Sequence, residues 1–146
     1  MKRTICLLLI ILTVFALTAC GKDDPQPVPY YTTDEETFSI ETRYCVLSYP
    51  TKWKDATTVD ITDTSVYTVS FSAGAVKLFD LMFGGTEGYK LGTLPYNGEV
   101  LTISLISYDI DCNSMSEEQF FSYCAMQEDV NVIVSRLIEN YGFVVS

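Results

Sequence analysis

The sequence predicts an α+β protein in which a single antiparallel β-sheet packs against one long C-terminal helix. Three observations lead to this fold class. Apolar and polar residues alternate over several short segments before residue 108, as in strands with one buried face. The connections between these segments are short, which favours antiparallel hairpins. After residue 116 apolar residues recur every three or four positions, the period of an amphipathic helix.

The most N-terminal strand signal covers residues 38–47. Residues 38–43 alternate between apolar and polar, whereas residues 44–47 are apolar on both faces. One strand that is partly covered on both sides accounts for this pattern. We expect that strand to end at Tyr49-Pro50.

Four further strands are predicted by alternation or by dense apolar content, at residues 67–72, 76–83, 89–94 and 100–108. The glycine-rich stretch at 84–88 predicts a turn between the second and third of them. Pro95-Tyr96-Asn97-Gly98 contains the Asn-Gly pair of a tight hairpin.

The long helix is predicted to begin at Ser114 or Ser116, because each has Glu or Gln three residues later, as in a capping box. Its apolar stripe consists of Tyr123, Met126, Val130, Ile133, Leu137 and Tyr141. A helix lying on a bilayer is the competing interpretation, but the polar face is acidic rather than basic. Gly142 is expected to end the helix, and residues 143–145 to add a short closing strand.

The N-terminus has the features of a secretion signal. Lys2 and Arg3 precede an apolar run at residues 5–19, which is shorter than the roughly 20 residues that span a bilayer. Leu17-Thr18-Ala19-Cys20 resembles the lipobox of bacterial lipoproteins. The resemblance implies cleavage of residues 1–19, a diacylglycerol on the Cys20 thiol, and an extracytoplasmic position on the cell membrane. An ordinary secretory cleavage site fits less well, since it prefers a small residue where Leu17 stands.

Residues 20–37 predict a flexible tether, and residues 38–146 predict one folded domain. The tether has three prolines, five acidic residues and few large aliphatic ones, so it lacks the means to form a packed core. The remaining length of about 110 residues is a common domain size.

The charge balance narrows the class of partner. The net charge is −10, and removal of Lys2 and Arg3 with the signal makes it −12. Such a chain repels nucleic acid and anionic lipid, which leaves basic proteins or cations as partners. The simpler interpretation is an acidic surface that keeps a secreted protein soluble.

Three cysteines, Cys45, Cys112 and Cys124, remain after Cys6 leaves with the signal and Cys20 is lipidated. A bridge between Cys112 and Cys124 is excluded by their expected separation along the helix. Cys45 with either of the others stays open, as does the alternative of free thiols, with Cys45 and Cys124 buried as small apolar residues.

Catalytic and metal signals are weak. The chain has no histidine, so the usual Ser-His and Cys-His nucleophiles cannot form, and neither a metal nor a cofactor is predicted. The loop at 84–90 lacks the ending of a phosphate-binding loop. The pairs Asp60 with Asp63 and Asp109 with Asp111 lack the ligand count of a calcium loop and are interpreted as solvated loop carboxylates.

A short motif suggests a fold family. Residues 46–53, with Tyr49-Pro50 followed by Trp53, resemble the strand–Tyr-Pro–Trp opening of PsbP-like and Mog1-like domains. That resemblance implies an antiparallel sheet flanked by helices, and a binding or assembly role rather than catalysis. Trp53 as a plain core aromatic beneath a turn is the alternative.

Aromatic residues provide the candidate contact sites. Tyr30, Tyr31, Tyr89 and Tyr96 fall in the tether or in turns, where an aromatic ring is available to a partner. We therefore expect a non-catalytic binding or assembly module whose partner is an envelope protein. The alternative is a cell-wall glycan hydrolase that uses a pair of carboxylates.

Overall fold

The computed structural model describes residues 36–146. The expected signal peptide, the lipidation site Cys20, Tyr30, Tyr31 and nearly all of the expected tether lie outside the described residues. So does the side chain of Cys112.

The described residues confirm the predicted α+β class. The strands are β1 (Thr37–Glu41), β2 (Val46–Pro50), β3 (Thr58–Asp63), β4 (Tyr67–Ala73), β5 (Val76–Phe83), β6 (Tyr89–Tyr96), β7 (Glu99–Ser107) and β8 (Val144–Val145). The helices are α1 (Glu117–Glu128) and α2 (Val130–Tyr141), with short 3₁₀ turns at Thr51–Trp53 and Cys112–Ser114.

Within residues 36–146 the strands form two antiparallel sheets rather than the single sheet predicted, because β1 and β2 pair with each other and not with the other strands. β1 and β2 pair as a hairpin, and the other six strands form a sheet in the order β3-β4-β5-β7-β6-β8. The predicted Asn-Gly turn joins β6 to β7, with positive φ angles of 50° at Asn97 and 82° at Gly98. The predicted closing strand is β8, which pairs with β6 at the edge of the larger sheet.

The prediction of one strand over residues 38–47 was wrong, because the chain reverses there to form the β1–β2 hairpin. Glu41 pairs with Val46, and residues 42–45 make the turn. The Thr42 hydroxyl accepts hydrogen bonds from the backbone N–H groups of Tyr44 (3.2 Å) and Cys45 (3.0 Å). A threonine side chain thus stabilises this turn, in place of the glycine or asparagine that would make a turn easier to recognise in the sequence.

β3 was not predicted, and its acids Asp60 and Asp63 therefore lie in a strand rather than in a loop. The strand sits at one edge of the larger sheet, pairing with β4. Its residues are exposed except for the half-buried Val59. An edge strand with no fully buried face lacks a clear hydrophobic signature.

The core lies on one face of the larger sheet. Alternate residues of β4 and β5, including Val69, Phe71, Phe79 and Leu81, are buried in one cluster with residues of the β1–β2 hairpin and both helices. Trp53 is fully buried there and meets the rings of Phe71 and Phe79 edge-on. Trp53 is therefore a core aromatic residue beneath a turn, as the alternative interpretation of the Tyr-Pro–Trp motif expected.

The predicted helix is present over residues 117–141, with one interruption at Asp129. α1 begins with the predicted capping box, in which the Ser116 hydroxyl accepts from Gln119 N–H and the Gln119 side chain accepts from Ser116 N–H. α2 ends at Gly142, which has the left-handed φ of 67° expected of a C-terminal glycine. Among the described residues, no helix is long and apolar enough to cross a bilayer.

Candidate functional site

A pocket of about 200 Å³ lies between α1 and the 3₁₀ turn Thr51–Trp53. It is lined by Lys52, Trp53, Ser122, Ala125, Met126 and Asp129. Pockets for drug-sized ligands are usually about 300–1,000 Å³, so this one suits a single side chain better than a whole small molecule.

One carboxylate fixes the geometry of the pocket. Asp129 Oδ2 accepts a hydrogen bond from the Trp53 indole Nε1 at 3.2 Å and forms an ion pair with Lys52 Nζ at 2.8 Å. Asp129 stands at the break between the two helices, so these contacts tie the helix junction to the 3₁₀ turn. The shape of the pocket is therefore maintained by the buried Trp53 ring and by the Lys52–Asp129 ion pair.

Phe121 stands next to this pocket on the outward side of α1. It precedes Ala125 by one helical turn, so the two side chains are neighbours on the same face. Its side chain is 61% exposed and contacts Phe120 with a ring separation of 5.8 Å. A large exposed apolar ring beside a pocket is a feature typical of contact sites.

Acidic side chains lie on the same helix as this ring. Between Lys90 and Arg136 the sequence has seven acidic residues and no basic one. Three of these acids are exposed on α1 itself. We call the exposed side of this helix, with the pocket beside it, the α1 surface: Glu117, Glu118, Phe121, Ser122, Ala125 and Glu128.

α1 exposes Phe121 because the helix is attached along a narrow line. Met126 is its buried residue, and the others are half-buried or exposed. The Gln127 side chain donates hydrogen bonds of 2.9 Å to the backbone carbonyls of Leu78 and Tyr108. A polar anchor and one buried side chain hold the helix, so its remaining apolar residues need not face the core.

A second polar cluster lies on β5, where Asp80 is 5% exposed. Asp80 Oδ2 accepts from the Tyr108 hydroxyl at 2.7 Å and from Lys77 Nζ at 2.8 Å. Burial alone would raise the pKa of Asp80, but the hydrogen bonds from Lys77 and Tyr108 outweigh it, and the pKa is lowered. The carboxylate is thus kept ionised, the opposite of what a general acid needs.

The two tyrosines predicted as contact residues within the domain do not form one site. Tyr89 begins β6 and is 70% exposed, whereas Tyr96 ends the same strand. They are seven positions apart along the strand, a distance of about 23 Å. Tyr96 is half-buried and packs edge-on against Tyr44, with ring centroids 5.0 Å apart.

One acid of each carboxylate pair considered for calcium has another partner. Asp63 forms an ion pair with Arg43 across the exposed surface. Asp111 caps the second 3₁₀ turn, accepting from Asn113 N–H at 2.9 Å. No group of three side chains able to ligate a metal occurs within the described part of the chain.

Cys45 and Cys124 are free thiols, so a disulfide between these two is not present. Cys45 is buried, as the free-thiol interpretation expected, whereas Cys124 is half-buried. Burial raises the pKa of the Cys45 thiol, and a side-chain hydrogen bond with Thr42 offsets this only in part. Cys45 is therefore a small packed residue rather than a nucleophile.

Phe121 was not predicted as a contact residue, because exposed aromatic residues were expected in turns and in the tether. One signal was available. Phe121 lies outside the apolar stripe that runs through Tyr123, Met126 and Val130, and it follows two glutamates. A large apolar residue off the stripe of an amphipathic helix is expected to face solvent.

Comparison with protein-family models, with curated proteins and with solved structures found no match for this chain. The resemblances to bacterial lipoproteins and to PsbP-like and Mog1-like domains therefore stay predictions from the sequence.

Proposed function

We propose that this chain is an extracytoplasmic lipoprotein whose folded domain is a non-catalytic binding module for an envelope protein. The observation that carries the proposal is Phe121, a phenylalanine that is 61% exposed beside a side-chain-sized pocket. Burying such a ring against a partner removes apolar surface from water at about 25 cal/mol per Å².

The extracytoplasmic location in this proposal is inferred from the sequence. Leu17-Thr18-Ala19-Cys20 supplies the lipobox, and the lipid on Cys20 would hold the chain at the membrane. Residues 20–37, fully extended, would reach roughly 60 Å, so the domain would search for a partner at some distance from the bilayer. The acidic domain would also be kept off an anionic lipid surface by repulsion.

The hydrolase alternative is less well supported. Glycoside cleavage takes two carboxyl groups on either side of a cleft, one of them with a raised pKa. The pocket beside α1 has one carboxylate in its lining, Asp129, and it is ion-paired with Lys52. The buried carboxylate Asp80 has a lowered pKa.

The proposal is tested by in-cell photocrosslinking with a photoreactive amino acid at position 121 of a tagged full-length chain. We expect a specific protein adduct that depends on Cys20 and is lost in Cys20→Ala. A photoreactive group at position 100, where the Val100 side chain is 71% exposed, is the matched control. Absence of any specific adduct at position 121, with the protein expressed and membrane-bound, would refute the binding role of this surface.

A further inference from the structure

We infer that the α1 surface binds a basic amphipathic segment of a partner protein, in which one apolar side chain enters the pocket and lysines or arginines flank it. This inference rests on the proposed binding function and specifies the chemistry of its partner.

The pocket provides the apolar half of this recognition. Trp53, Ala125 and Met126 supply its apolar lining, and Phe121 extends the apolar surface on the neighbouring helical turn. A cavity of about 150 Å³ is enough to bind benzene, so about 200 Å³ accepts a leucine or phenylalanine side chain. Lys52 also lines the pocket, but its charge is directed to Asp129 at 2.8 Å.

The carboxylates provide the other half. Glu117 and Glu118 lie one turn before Phe121, and Glu128 lies beyond Ala125. Glu128 lies eleven positions after Glu117, a distance of about 16 Å along the helix axis. A segment with basic residues on both sides of its apolar anchor would therefore meet carboxylates at both ends of the surface.

Charge complementarity selects this occupant over others. An anionic lipid surface or an acidic segment would be repelled by the exposed glutamates, and Asp109 and Asp111 precede the helix with the same sign. A neutral glycan would gain from Phe121 but nothing from the glutamates. The acids and the apolar ring together fit a cationic, partly apolar peptide.

The test uses the full-length chain in mild detergent and a fluorescent peptide with one leucine between two pairs of lysines, followed by anisotropy. We expect Phe121→Ala to weaken binding at least about tenfold, the loss typical of an aromatic anchor. Combined replacement of Glu117, Glu118 and Glu128 by Gln should also weaken binding and reduce its dependence on salt. Val100→Ala, and Glu87→Gln with Glu99→Gln, are the matched controls and should bind like the parent chain.

Three results would overturn the inference. They are equal weakening in the control variants, unchanged binding by Phe121→Ala, and equal binding of a peptide with glutamate in place of lysine. Loss of peptide binding alongside a persistent crosslink at position 121 would reject this partner chemistry and leave the binding function standing. Absence of the crosslink would reject the function itself, so the two failures are distinguishable.

Discussion

The two helices α1 and α2 are consecutive and equally long, at twelve residues each, yet they are used differently. α2 buries Val130, Val132, Ile133 and Leu137, whereas α1 buries Met126. The apolar residues of α2 concentrate on one side, and those of α1 are spread around the helix. A helix that the core does not fully use has side chains left over for contact with other molecules.

The helices also differ in what holds them. α2 is fixed by apolar side chains in the core cluster. α1 is attached to the rest of the domain by the buried Met126 and by the Gln127 hydrogen bonds, whereas the capping box at its start stabilises the helix itself. Met126 and Gln127 both lie in the last turn of α1, so Phe121, nearer its start, is not needed for packing.

The largest effect should come from the core side of α2. Ile133 is fully buried, so Ile133→Ala should lower the free energy of unfolding by about 2–5 kcal/mol. Urea unfolding followed by tryptophan fluorescence measures this, since Trp53 lies in the same cluster. Asn131→Ala, on the exposed side of α2, is the control, and a loss under about 1 kcal/mol for Ile133→Ala would contradict the assigned role.

The next effect should come from the anchor of α1. Gln127→Ala removes two hydrogen bonds to backbone carbonyls, and we expect a loss of about 1–3 kcal/mol. Hydrogen exchange should become faster in α1 while the amides of α2 stay protected. Equal acceleration in both helices would show that they do not behave as separate units.

A smaller effect is expected at the start of α1. Ser116→Ala removes the hydroxyl that accepts from Gln119 N–H, at a cost of about 1 kcal/mol. Ser122→Ala, an exposed serine inside the same helix, should cost nothing or stabilise slightly, because alanine is the better helix former. Thermal unfolding of both variants measures the contrast, and identical midpoints would argue against the cap.

The smallest effect on folding should be at Phe121. Because its ring is mostly exposed, Phe121→Ala should change the free energy of unfolding by no more than about 0.5 kcal/mol. The half-buried Tyr123, on the core side of the same helix, should cost more when replaced by alanine. Chemical denaturation of the Phe121→Ala and Tyr123→Ala variants measures the two changes in the free energy of unfolding.

Where an element is clearly buried, the sequence was sufficient to predict it. β4 alternates between buried and half-buried residues along its whole length. β5 was predicted with its observed limits, Val76–Phe83, from its dense apolar content, and residues 78–83 are all buried. The capping serine and the closing glycine of the helical region were also correct, because caps are local chemistry.

Elements that depend on distant partners were missed. The turn between β1 and β2 relies on the Thr42 hydroxyl, which has no strong sequence signature. The helix break at Asp129 coincides with contacts from Lys52 and Trp53, more than seventy residues earlier in the chain. The pocket joins the same two regions, so spacing within either region could not reveal it.

The candidate contact residues show the same limit. Tyr96 was expected to be available in a turn, but Tyr44 packs against its ring, and the hairpin that brings Tyr44 there was itself not predicted. Phe121 lies in a helix that was predicted to pack against the sheet. Which apolar side chains stay exposed depends on how tightly each helix is attached.

The most direct test is a paired measurement on Phe121→Ala in the full-length chain: stability to denaturant, and capture of a partner in cells by a photoreactive residue at neighbouring position 122. If α1 separates binding from folding, the variant keeps its free energy of unfolding within about 0.5 kcal/mol and loses most of the partner adduct. Undiminished capture, or a loss of stability above about 1 kcal/mol, would contradict the account.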